Sequence, residues 1–203
     1  MRGRTVAQAV VVLASIAGIS AGAATGLVKT GVVALSRTPE AADALPAASV
    51  LKAGESRRVA DFESPTNTLR AVFVARDSDD KLCLWDTNLV SGQQGGGCNF
   101  ASDPFAGGSM MTSVSLDGGP GLGTVSEVRV IGVVDPSVAT VEMRDSKGRT
   151  RPVHLTKDQA FALAFHAGAI RSGGLPTVLL ARDTTGAVID EEPVTLGIEV
   201  MNS

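Results

Sequence analysis

Aromatic residues are scarce in this chain of 203 residues: six Phe, one Trp and no Tyr, 3% in all. Extended stacking platforms for bases or sugars need aromatic faces, and few are on offer. The net charge is −3, so the basic patch or stripe of a nucleic-acid-binding protein is missing and no nucleic-acid partner is expected. The chain has two His and two Cys. A tetrahedral zinc site would need all four with no support from their spacing, so no metal and no other cofactor is expected. A CxxC pair, a GxSxG elbow and a phosphate-cradling Gly-Lys-Ser/Thr loop are absent. The acidic run Asp77-Ser78-Asp79-Asp80 fails the calcium-loop pattern, with Leu82 where Gly is required and Asn88 where Glu is required. These absences together argue for a protein that is not an enzyme.

Hydrophobic residues make up 44% and charged residues 19%. That is enough apolar material for one core and too little charge for a disordered chain. The length fits one domain plus extras.

Arg2 and Arg4 precede an uncharged span, Thr5–Val28. It is roughly 24 residues long, and as a helix would measure about 36 Å, enough to cross a hydrocarbon core. Two readings stand. The span is an uncleaved anchor, or it is a signal peptide with apolar region Val10–Ile19 and small-residue site Ala21-Gly22-Ala23. Both export the rest of the chain, because the basic N-terminus stays inside. Residues 1–35 are therefore expected to be a signal peptide or transmembrane anchor, with membrane contact through residues 5–28. Ala14, Gly18, Gly22 and Gly26 recur every fourth residue, a small-residue ladder that would let two helices approach closely in lipid. Residues 36–54 carry two Pro, many Ala and scattered charges, and read as a flexible linker.

From Glu55 onward the texture is that of strands. Leu69–Arg76, Lys81–Asp86, Met110–Leu116, Val125–Val134, Val138–Arg144, Arg149–Leu155, Thr177–Arg182 and Ala187–Val194 are short, rich in Val and bounded by turn residues. Three of them end alike, in ARDSDDK, MRDSKGR and ARDTTGA. Each reads as a tight hairpin whose Asp caps the turn, with Gly148 and Gly186 taking positive φ. Residues 156–166 are ambiguous between helix and strand. Thr156–Gln159 resembles a helix-capping box. Phe161, Leu163 and Phe165 alternate with alanines, which is strand period, and the segment is read as a strand.

Leu82–Cys98, LCLWDTNLVSGQQGGGC, holds both cysteines and the only Trp, and the folded part is expected to be organised around it. It reads as a strand, a polar glycine loop and a return, closed by a Cys83–Cys98 disulfide. An even cysteine count behind an export segment supports that pairing. Closing a loop of about 14 residues contributes roughly 3 kcal/mol in the chain-entropy model. Bare backbone at Gly95, Gly96 and Gly97 could approach a ligand closely. Gly118–Gly123 reads as a turn. His154 and His166 are the candidate bases should the chain instead be a secreted hydrolase.

The succession KLCLW, GGGC and VIGVVDPSVATVEMRDSKGRTRPVHL resembles a recurrent pattern in uncharacterised exported proteins of actinobacteria, over roughly residues 55–200. There a turn of the type GVVPDGV joins two strands, and Val133–Val138 fills that place here. The resemblance implies an exported β-domain and carries no catalytic residue with it.

The expected architecture is all-β: an immunoglobulin-like antiparallel β-sandwich over residues 55–203, preceded by the N-terminal apolar helix. Val125–Val134 and Val138–Arg144 should be central strands, and Trp85, Val130, Val141 and Leu179 should lie in the core. The expected function is a non-enzymatic module that binds or senses at the cell envelope, with an envelope protein or cell-wall component as partner. The expected location is the cell membrane, single-pass, with the domain outside; the alternative is a secreted protein.

Overall fold

The computed structural model describes residue 52 and residues 54–196, apart from 101, 102, 104, 106, 119–123, 167, 170 and 171. The N-terminal span with its Ala14–Gly26 ladder, nearly all of the linker and most of the Gly118–Gly123 turn lie outside the described residues. No helix among the described residues is long and apolar enough to cross a membrane.

Eleven strands run in order: β1 (Ser56–Glu63), β2 (Leu69–Arg76), β3 (Leu82–Asn88), β4 (Gln94–Phe100), β5 (Met110–Gly118), β6 (Val125–Val134), β7 (Thr140–Asp145), β8 (Thr150–Val153), β9 (Ala160–His166), β10 (Pro176–Arg182) and β11 (Val188–Pro193). Every ladder is antiparallel. The sheets are β1-β2-β3-β4, β5-β6-β9 and β11-β10-β7-β8. The expected all-β, antiparallel, sandwich-like character is present, and β6 and β7 are interior strands of their sheets. An immunoglobulin-like arrangement has two sheets; here there are three.

The third layer follows from the sequence of two strands. β6, VSEVRVIGVV, has buried apolar residues on both faces. Its Val128, Val130 and Val134 join one core, and its Ile131 and Val133 join another. β9 divides by size: Phe161, Leu163 and Phe165 enter the first core, while Ala160, Ala162 and Ala164 enter the second. A strand buried on both faces must lie in a middle sheet, because side chains alternate sides with period two. The first core holds Val141, Met143, Leu179 and Ala181 of the β11-β10-β7-β8 sheet. The second holds Phe62, Val72, Val74, Leu82 and Leu84 of the β1–β4 sheet. In β6, Gly132 lies directly opposite Phe161, whose ring occupies the space a Cβ would take; the nearest ring carbon would be 2.3 Å away.

The first and middle sheets also meet at both edges, β4 beside β5 and β1 beside β9, without a continuous ladder. The turn before β9 latches one of these edges. Thr156 Oγ1 donates to Val59 O (3.0 Å), and Arg57 Nη2 donates to the buried Asp158 Oδ1 (2.8 Å). The capping-box residues Thr156–Gln159 thus close a tight turn into a strand: Gln159 N donates to Thr156 O, Ala160 N to Thr156 Oγ1, and Gln159 takes φ 58°.

The three Arg-Asp-Ser/Thr hairpins share one geometry. Asp77 Oδ1 accepts from the N–H of Asp79 and Lys81, Asp145 Oδ1 from Lys147 and Arg149, and Asp183 Oδ1 from Thr185 and Ala187. The residue with positive φ is Asp80 in the first, Gly148 in the second and Gly186 in the third. Burial tends to raise the Asp145 carboxyl, but the hydrogen bonds and charge of Arg149 and the Lys147 amide outweigh it and hold it below its ordinary value. Asp183 is likewise lowered, chiefly by the Thr185 hydroxyl.

Candidate functional site

Two features of the β1–β4 sheet, one on each face, distinguish this part of the molecule. On the outer face Phe73 and Trp85 sit directly across the β2–β3 ladder, and Gly96 sits directly across from Trp85 on β4. The Phe73 and Trp85 rings stack with centroids 5.8 Å apart and planes 13° from parallel. One face of the indole is therefore covered by Phe73, and the other looks over a strand with no side chain at that position. The result is an open cleft of about 320 Å³ lined by Trp85, Gln94, Gly95, Gly96, Gly97 and Cys98. The expected core position of Trp85 is corrected here. The residue lies outside because Leu82, Leu84 and Asp86 take the inward positions of β3, which leaves the alternate positions Cys83 and Trp85 on the outer face.

The glycines that line the cleft correct a second expectation. Gly95, Gly96 and Gly97 belong to β4 and pair with Asp86, Trp85 and Leu84; the loop of the hairpin comes before them. Gly96 has φ 131°, and a Cβ there would lie 2.3 Å from Leu84 O, so only Gly fits. The pairing is bulged just beyond Gly97, between Leu82 and Leu84. The Cys83–Cys98 disulfide joins the two strands beside that bulge, as expected. It ties the glycine strand, which has little propensity of its own, to β3.

On the inner face, beyond the alanines of the second core, lies a buried ionic cluster. Arg70 and Arg129 are 2% and 1% exposed, Asp86 0%, Glu127 2%. Arg129 forms a fork with Asp117, Nη1 to Oδ2 at 2.6 Å and Nη2 to Oδ1 at 3.0 Å, and donates to Glu127 Oε1 at 3.0 Å. Its Nε lies 3.1 Å from Asp86 Oδ2, which also accepts from Arg70 Nε. Burial opposes the charge on Arg129, but Asp117, Asp86 and Glu127 outweigh it and raise its pKa above the ordinary arginine value. The cluster reaches the cleft through β4. Arg70 Nη2 donates to Gln93 O, and Gln93 Nε2 donates to Asp117 Oδ1. Gly95 packs so closely that a Cβ would sit 2.5 Å from Ser115 Oγ and 3.2 Å from Asp86 Oδ1. The cluster therefore fixes the position of the strand that floors the cleft.

Sequence reasoning missed these five charged residues, although a signal was present. Glu127 and Arg129 are alternate residues on one face of an otherwise apolar strand, and Arg70 and Asp86 stand on the two strands that carry Phe73 and Trp85. Charges at such positions are buried only when paired.

The other candidates are not brought together. His154 follows β8 in the β11-β10-β7-β8 sheet and is exposed; His166 ends β9 in the middle sheet, exposed, with Nδ1 accepting from Gly168 N at 2.9 Å. Asp77–Asp80 form the first hairpin turn. No group of three or more potential metal ligands occurs among the described residues. No known protein family, curated protein or solved structure matches the chain.

Proposed function

We propose that this chain is a non-enzymatic extracytoplasmic module, tethered by a membrane-spanning helix over residues 5–28, that binds an envelope protein or cell-wall component through the outer face of its β1–β4 sheet. The observation that carries this reading is the stacked pair Phe73–Trp85 standing on an outer sheet face beside a strand stripped of side chains. Large rings are favoured where a surface is to be covered by a partner, because they supply contact area at low entropic cost, and the Trp85 indole adds an N–H donor. A rigid backing supports the same reading, since the buried cluster and the disulfide preorganise the strand that floors the cleft. The resemblance to exported actinobacterial proteins and the basic start followed by an uncharged span support placement outside the membrane.

Cell fractionation tests the reading. Full-length protein in the membrane fraction is expected, with residues 55–203 cut by protease added to intact cells and retained on washed cell-wall material. A cytosolic protein that external protease cannot reach would overturn it.

A further inference from the structure

We infer that the cleft beside Trp85 takes a neutral pyranose ring, one unit of an envelope glycan; this deepens the binding reading above and rests on it. Phe73, Trp85 and Gly96 lie in a row across three strands, with the two rings nearly parallel. A flat ring inserted over Gly96 becomes the third member of that stack, with the free indole face on one side and glycine backbone beneath. Gly96 lies so close to the β3 backbone that it carries no side chain to fill the space beside the indole, and Gly97 leaves open space on its own side.

The chemistry of the lining selects among flat rings. None of its six residues ionises at neutral pH, so no charged group of the ligand finds a partner there. The polar groups on offer are the Gln94 carboxamide, which both donates and accepts, and the backbone of Gly96 and Gly97, all on exposed residues. An aromatic ring would leave these groups unpaired, and a proline ring brings no donor. A pyranose presents an apolar C–H face to the indole and hydroxyls at its rim, each able to donate and accept. It is the ring that covers the indole with an apolar face while its hydroxyls exchange water for the polar groups of the lining.

The single Trp makes the test direct, because indole emission of the full-length protein reports on Trp85 alone. The probes are chitotetraose, cellotetraose and maltotetraose, with a proline decamer as the competing chemistry. A saturable change in emission with at least one of the oligosaccharides is expected. Calorimetry should then show binding lost in Trp85→Ala and weakened roughly three- to tenfold in Gln94→Ala, an exposed position whose truncation leaves the fold unchanged. A response to the proline decamer alone would overturn the sugar assignment and leave the binding face standing. No response to any oligosaccharide, with full-length protein still retained on cell walls, would likewise overturn the sugar assignment only. No response, no retention on cell walls and no envelope protein cross-linked to the cleft would overturn both.

Discussion

Arg129 of the middle sheet and Asp86 of the first sheet meet with Nε 3.1 Å from Oδ2, and neither side chain reaches solvent. The pair joins two sheets at the level where the alanines of β9 leave too little apolar volume to do so. It lies directly beneath the strand that floors the Trp85 cleft.

Removing one partner of such a pair leaves a buried charge without compensation. Arg129→Met should therefore destabilise the protein by about 3–5 kcal/mol, because Asp86, Asp117 and Glu127 lose their shared cation. Urea denaturation measures this; a loss below about 1 kcal/mol would show that the cluster is screened by solvent.

Reduction of Cys83–Cys98 should lower stability by roughly 3 kcal/mol on the chain-entropy model. It should also loosen β4, so amide exchange at Gly95–Gly97 should accelerate more than at β6. Equal acceleration at the two strands would contradict the role given to the disulfide.

Gly132→Val places a branched side chain where the Phe161 ring lies. Overpacking of this kind costs typically about 1–3 kcal/mol. A thermal midpoint equal to that of the parent protein would mean that the aromatic–glycine contact is not tight.

Asp145 and Asp183 are both held below the ordinary carboxylate range in the folded state. A depressed folded pKa adds stability above the unfolded pKa of about 3.9, and that stability is lost as pH falls through the folded value. Below about pH 4 the protein should lose stability, and Asp145→Asn should flatten that slope while lowering stability at pH 7. An unchanged acid slope in the variant would contradict the hydrogen-bonded turn.

Much of the fold was readable where one residue type dictates one outcome. The alternation of Phe161, Leu163 and Phe165 with alanine announces a strand, and the Arg-Asp-Ser/Thr turns announce their own geometry. β4 was not readable, because glycine carries no strand preference; its pairing comes from β3 and the disulfide. The outward position of Trp85 was present in the alternation of Leu82 and Leu84 with Cys83 and Trp85, but the habit of burying aromatics outweighed it. Glu127 and Arg129 stand two residues apart on β6 and were legible as a pair, but their meeting with Arg70 and Asp86 of the first sheet shows only when the two sheets pack together.

The most direct test of the binding face is a benzophenone-bearing residue in place of Trp85, which keeps an aromatic ring at the stacking position, illuminated in intact cells, with the same residue at Ile189 as control. Ile189 is 40% exposed on β11, in the sheet on the far side of the middle one. Discrete adducts to an envelope component from position 85, and none from position 189, are expected. Absence of adducts at position 85, or equal labelling from both positions, would contradict the assignment of the β1–β4 sheet as the binding face.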